Sequence, residues 1–347
     1  MIRGKTLSAA ALGLSLLTLT ACGGTGPSAE SAVESSAEPS AGSSAPAEAG
    51  ATAAGYPLTM THAMGETVIE EQPQRVVALD PSYVDAALLL DAELVGYAEY
   101  RQDPEDPFAD YLGDVSAETA EAVNVGTIAE PDLEQIAGLE PDLIVSAKVR
   151  QEALYPQLEK IAPTVFSEST GPTWKENVVL LGEALGKQEQ AEQEVADYEA
   201  RAAAVGEAIL EQDPEATYSL LRFAGEDTAR LYSSDSFIGE IMADMGIPRP
   251  EGAPDTTESI FVPLSQEQIL EADADLVMVS TWAPDGAEGE ASREQEERFT
   301  TNPLWERLEG EVLPVDDETF VASVSVQGAH AVITQLAEHY GVDPQLP

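Results

Sequence analysis

From Lys187 to Gln212 the chain runs for 26 residues with one glycine, Gly206, and no proline. Ala, Glu and Gln dominate, and Val195, Tyr198, Ala202, Val205 and Ile209 recur at spacings of three and four. That is one face of an α-helix, and the stretch makes a rod of about 39 Å. On either side short apolar runs alternate with helical periods, the mark of parallel α/β layers. A stiff helix between two α/β stretches points to two lobes with a single strut.

Before the rod, Arg75-Val-Val-Ala-Leu79 reads as a buried strand closed by Asp80-Pro81, and Val84 to Leu90 as a helix. Leu94 to Tyr97, Leu143 to Val145 after Asp142, and Thr164 to Phe166 read as further strands. After Asp213-Pro214 the pattern restarts. Tyr218–Phe223, Leu276–Val279 and Val312–Val315 read as strands; Phe237–Met245, ended by Gly246, and Ala329–Tyr340 read as helices. An echo links the halves. Glu134-Gln-Ile136 precedes Asp142-Leu-Ile144 with five residues between, and Glu267-Gln-Ile269 precedes Asp275-Leu-Val277 in the same way. The expected divisions are a leader over 1–21, a tether over 22–55, a first lobe over 56–186, the helix over 187–212 and a second lobe over 213–347.

The leader has Arg3 and Lys5 ahead of a short apolar stretch, residues 7–19, too short for a comfortable membrane span. Leu19-Thr20-Ala21-Cys22 follows, and Cys22 is the chain's one cysteine. This resembles the lipobox of bacterial lipoproteins, which implies lipidation of Cys22 and a membrane anchor on the extracytoplasmic face. Residues 23–55 are mostly Ser, Ala, Gly, Pro and Glu and cannot offset their own ordering entropy by burial, so they read as a flexible tether. The formal charge is −48, from 64 acidic and 16 basic residues, nearly all in the globular part. Nucleic acid is excluded as a partner, since phosphate binding needs a basic face. Such acidity keeps a chain soluble and monomeric, and fits a salty habitat.

Several segments, taken in order, resemble one known family. They are Arg75-Val-Val-Ala-Leu-Asp80, Gly126 through Glu130-Pro-Asp-Leu-Glu134-Gln-Ile136, Leu139-Glu-Pro-Asp-Leu-Ile-Val145 and Leu158-Glu-Lys-Ile-Ala-Pro-Thr-Val165. In the second half they are Leu221-Arg222-Phe223, Arg230-Leu-Tyr232, Asp235-Ser-Phe237 and Asn302-Pro-Leu-Trp305. Together they resemble the iron/cobalamin class of periplasmic binding proteins, and most of all the ferric-siderophore receptors of ABC importers. The resemblance implies two Rossmann-like α/β lobes joined by one long helix, the class III architecture, with ligand held between lobes where loops leave the carboxyl ends of strands. It implies small closure on binding. It also implies that one exposed glutamate per lobe, here Glu134 and Glu267, pairs with arginines of the permease.

A ferric siderophore already wraps its iron, so a receptor supplies no metal ligand or cofactor. It offers Arg or Lys to the chelating oxygens and aromatic faces to the spacer arms. Post-strand arginines are therefore the candidates: Arg222, Arg230, Arg150 and Arg101. Each has the ordinary alternative of a surface ion pair. The aromatic candidates are Trp282 after the strand Leu276–Val279, Trp174 in a Gly-Pro loop, Tyr232, Phe223, and Phe320 after Asp316-Asp-Glu-Thr, with Tyr83 after Asp80-Pro81 a lesser one; Trp305 is expected in the core. Few basic residues beside several aromatics favour a hydroxamate chelate, neutral or cationic, over a polyanionic catecholate. Alternatives of the same fold are a haem or cobalamin receptor and a receptor for a bare metal ion. With only His62, His330 and His339 available, neither has an obvious ligand set. No nucleophile elbow, zinc-protease motif, phosphate-binding loop or free catalytic thiol marks an enzyme.

Overall fold

The computed structural model describes residues 55–99 and 107–346; the leader, Cys22, the tether and Arg101 lie outside them. A hairpin, β1 (Leu58–His62) and β2 (Gly65–Ile69), precedes the first five-stranded sheet. That sheet consists of β3 (Arg75–Ala78), β4 (Glu93–Glu99), β5 (Val123–Thr127), β6 (Leu143–Ala147) and β7 (Thr164–Ser167). All its pairings are parallel, in the order β5-β4-β3-β6-β7. The second sheet consists of β8 (Tyr218–Phe223), β9 (Ala229–Tyr232), β10 (Phe261–Leu264), β11 (Leu276–Thr281) and β12 (Glu311–Pro314), in the order β10-β9-β8-β11-β12. The order repeats that of the first sheet, but β9 runs antiparallel to both neighbours. The second layer is therefore mixed where the sequence pattern predicts parallel strands, because β8 returns to β9 through the short loop 224–228.

The helices are α1 (Pro81–Leu89), α2 (Leu133–Gly138), α3 (Lys148–Gln151), α4 (Tyr155–Leu158), α5 (Trp174–Leu185), α6 (Gln188–Gln212), α7 (Phe237–Asp244), α8 (Ala287–Thr300) and α9 (Val326–Tyr340). The long helix is α6. Its Ala191, Tyr198, Ala202, Val205 and Ile209 are buried, while the intervening Glu and Gln face solvent. Gly206 is there because α7 ends against it: a Cβ would lie 1.8 Å from the Met245 carbonyl oxygen. Behind α6, Gly186 takes a left-handed φ of 68° and turns the chain from α5 into α6.

Strand parity sorts the apolar residues into three clusters. Val77, Leu79 and Ile144 pack on the outer face of the first sheet, and Leu221, Phe223, Val277 and Val279 on the outer face of the second. The alternate residues, Val76, Ala78, Leu143 and Val145 on one sheet and Leu220, Leu276 and Met278 on the other, join α1, α5, α6, α7 and α9 in a single cluster. Both inner faces thus drain into one core. Runs that are apolar on both faces are what parallel strands covered by helices require.

The candidate ligand-binding cleft

On the inner face of each sheet the apolar side chains give way to polar ones toward the carboxyl end. In the second sheet Arg222 on β8 stands opposite Arg230 on β9 and Ser280 on β11. The Arg222 guanidinium donates through Nε and Nη2 to the two oxygens of Asp317, both at 2.7 Å, and its Nη1 lies 3.4 Å from the Tyr232 hydroxyl. The Ser280 hydroxyl donates to the same carboxylate at 2.5 Å. Arg230 makes a second fork, onto Glu226, at 3.1 and 2.5 Å, and stacks over Phe261 at 4.7 Å. That bond holds the Glu226 carboxyl below its ordinary range and raises the guanidinium.

The loop carrying Glu226 is organised from α8. The buried Gln295 carboxamide oxygen accepts from the backbone N–H groups of Ala224, Gly225 and Glu226 at 2.8–3.1 Å, and its nitrogen donates to the Thr228 carbonyl. Gln151 plays the matching part in the first sheet, donating to the carbonyls of Leu79 and Ile128 and accepting from the Ser146 hydroxyl. Nearby, Asp80 caps α1 by accepting from the Ser82 N–H and hydroxyl, and its other oxygen takes the Arg150 Nε–H at 2.7 Å. Arg150 Nη2 lies 3.4 Å from the Thr170 hydroxyl, and the side chain keeps 35% of its surface.

The two inner faces meet at a seam. Asp85 on α1 is buried and accepts from the Tyr111 hydroxyl at 2.7 Å and from the Ser325 hydroxyl. Gln327 of α9 donates to the Asp85 carbonyl at 2.7 Å. Burial pushes the Asp85 carboxyl up to about 7 against these bonds, with the charges of Asp80 and Glu318 adding to the rise. A cavity of about 40 Å³ beside it is lined by Pro81, Asp85, Tyr97, Phe108, Glu318 and Ser323, from both sheets' connections. It is too small for a chelate and marks the seam between the halves.

The structure brings Arg222, Arg230 and Tyr232 together and places Arg150 at the corresponding edge of the first sheet. Trp282 follows β11 half-exposed, its backbone N–H donating to the Phe223 carbonyl at 2.9 Å. Four aromatic expectations need correction. Phe223 lies in the outer core of the second sheet and Tyr83 in the shared core, both buried. Trp174 is not in a loop but opens α5, 1% exposed, edge-on to Tyr198 and Phe237. Phe320 is also 1% exposed, in a π-turn over Glu318–Ala322 that faces the shared core. Both rings fill the interior between the halves. Trp305 packs on Phe223 at the outer core, as expected. Nothing in the sequence singles out the acids Asp80, Glu226 and Asp317; 64 carboxylates hide the three that grip Arg150, Arg230 and Arg222.

The model of the periplasmic binding protein family matches residues 76–309, two thirds of the chain. The chain belongs to that family. This binding protein is 32% identical to the "Probable siderophore-binding lipoprotein YfiY" of Bacillus subtilis, over 81% of this chain and 87% of that one. It is 29% identical to the Fe(3+)-citrate-binding protein YfmC of the same species, over 74% of this chain and 77% of that one. Among solved structures, Staphylococcus aureus SirA complexed with staphyloferrin B superposes with a TM-score of 0.75 at 29% identity. That match covers 83% of this chain and all of SirA. The family consists of substrate-binding proteins rather than enzymes. Among the described residues no helix of this binding protein is long and apolar enough to cross a membrane, and no group of three or more His, Cys, Asp or Glu could hold a metal ion.

Its histidines are otherwise engaged. His330 Nδ1 accepts from buried Arg201 at 2.9 Å, and burial with that neighbouring charge pushes the imidazole down to about 4. His62 lies 2.9 Å from Thr67 and accepts from the Phe166 N–H at 3.3 Å, while His339 is 3.8 Å from Glu311.

Proposed function

We propose that this chain captures a ferric siderophore outside the cell and delivers it to an ABC importer, anchored by lipid on Cys22 and working as a monomer. The observation that carries the reading is the set of guanidiniums at the carboxyl edges of two sheets that share one core: Arg150 on one side, Arg222 and Arg230 on the other. Guanidinium forks are suited to the outer oxygens of a chelate. Trp282, half-exposed at the same edge, supplies an apolar face. Arg101, which lies outside the described residues, is the fourth arginine we propose for the ligand. The chelate brings its own ligands to iron, so the protein needs no cofactor. The glutamates assigned to permease docking, Glu134 and Glu267, are both exposed in the first turn of their helices.

The chelate class we favour is a hydroxamate. Each of Arg150, Arg222 and Arg230 is matched by a carboxylate, so the rim carries no surplus of positive charge for a polyanion. A carboxylate chelate is the second reading, favoured by the similarity to a protein named for Fe(3+)-citrate. Tryptophan-fluorescence titration with a neutral ferric trihydroxamate, a ferric triscatecholate and ferric dicitrate separates them. Tight binding of the trihydroxamate is expected. Binding of the triscatecholate alone would refute the class, and binding of haem with none of the three would refute the receptor reading.

A further inference from the structure

Asp317 fills the fork of the Arg222 guanidinium. The Arg222 fork closes on it with two parallel bonds, the geometry by which arginine recognises an anionic bidentate group. Both side chains are about a tenth exposed, at 10% and 11%, so whatever reaches this guanidinium must first move the carboxylate. Ser280 adds a third bond to the same carboxylate.

The segment that carries Asp317 is under backbone strain. After the π-turn over Glu318–Ala322, Val324 sits at φ 42°, a left-handed conformation that a β-branched residue rarely adopts. Contacts at both ends hold it there. Asp316 accepts from the Thr319 N–H and hydroxyl at 2.8 and 2.9 Å, and beyond the strained residue Ser325 and Gln327 bind Asp85 of the opposite half. Such strain persists only where its surroundings over-determine it.

We propose that Asp317 is an internal competitor for Arg222 and so a specificity-determining residue. It turns away chelates that would deliver anionic oxygens to this fork, and it leaves neutral chelates to bind against Arg150, Arg230 and Trp282. This rests on the ferric-chelate reading above. An anionic chelate has to break charge-assisted bonds and expel a carboxylate into the cleft of a chain whose net charge is −48. A neutral chelate leaves the pair intact.

The test is the Asp317→Asn chain, compared with the wild type in fluorescence titrations against ferric dicitrate and a neutral ferric trihydroxamate. Asparagine keeps an acceptor oxygen and removes the charge. The Kd for ferric dicitrate is expected to fall about tenfold or more, with the trihydroxamate moving less than about threefold. Because Asp317→Asn leaves a buried guanidinium without this counter-ion and could fail to fold, Ser280→Ala is measured beside it. That variant loosens the carboxylate and keeps its charge, and the same selectivity shift, smaller, is expected. Equal changes for both chelates, or no change in either, would overturn the proposal while leaving the receptor reading in place. A wild-type chain that binds no ferric chelate sinks the receptor reading and this inference with it.

Discussion

Asp85 is a carboxylate buried among hydroxyls, and burial holds its proton up to about pH 7, where the ordinary aspartate value is 3.8. Between those limits the folded state binds more proton than the unfolded one, so the stability linked to this group falls as pH rises through about 7. At about 1.4 kcal/mol per pH unit, the interval corresponds to about 4 kcal/mol. Asp85→Asn keeps an acceptor for the Tyr111 hydroxyl and carries no charge at any pH. It is expected to be more stable than the wild type near pH 8, by up to about 4 kcal/mol, with the difference shrinking through pH 5 and vanishing only below about pH 4. Denaturant melts of both chains across that range check it; a pH-independent difference would show that Asp85 does not titrate there. The sequence gives no hint of this residue, which lies inside a short, mostly apolar helix that is buried nearly all round. It reveals arginines far better, since 16 basic residues in a chain so acidic make each post-strand Arg conspicuous. Aromatic residues are harder. Trp174 and Trp282 both follow a strand, and only packing tells that the first turns into the core against Tyr198 while the second stays at the rim.

At the scale of elements, α6 and the strands β3, β6, β8 and β11 are legible because apolar periodicity survives in them undiluted. Helix α8 is not: AEGEASREQEERFT is polar nearly all round, and its buried face includes Ser292 and Gln295 along with Phe299. A face that works by hydrogen bonds leaves no hydrophobic period to read. Strands β9 and β10 are each only four residues long, and α5 runs into α6 with only Gly186 and Lys187 between. Gly206 looks in the sequence like a flaw in the long helix. In the structure it is the crossing point, with the Met245 backbone where a methyl group would be. Ala is favoured over Gly by about 1 kcal/mol in a free helix, yet Gly206→Ala is expected to destabilise the protein by about 1–3 kcal/mol, because backbone must yield. Gly138→Ala, where nothing lies within 4 Å of the added methyl group, serves as the control and should leave the urea midpoint unchanged or raised. Equal behaviour of the two variants would mean that α7 does not lean on α6.

For the whole molecule the decisive fact is that the inner faces of both sheets belong to one core, reached through α1, α5, α6, α7 and α9. Lys175 of α5 adds an ionic tie at the back, 2.9 Å from Asp244 of α7 and 3.3 Å from Glu199 of α6. Halves fused in this way cannot swing apart without exposing core, so their relative position changes little. The internal echo gains meaning from this. Ile136 and Ile269 are buried at equivalent points, and α2 leads into β6 as the turn Gln266–Ala272 leads into β11, strands that hold the same place in their sheets. Glu134 and Glu267 therefore stand at matched positions on a body of nearly constant span. A partner that reads their spacing would find it whether or not the cleft is filled, and would sense the ligand by other means. Glu134→Lys and Glu267→Lys singly are expected to reduce cellular uptake of ferric chelate, and together to abolish it. Fluorescence titration of the purified double variant should give an unchanged ligand Kd, since the ligand rim is built on Arg150, Arg222, Arg230 and Trp282 and not on these two exposed glutamates. Loss of ligand affinity would instead assign these glutamates to the fold or the cleft, and normal uptake would mean that the importer grips another surface.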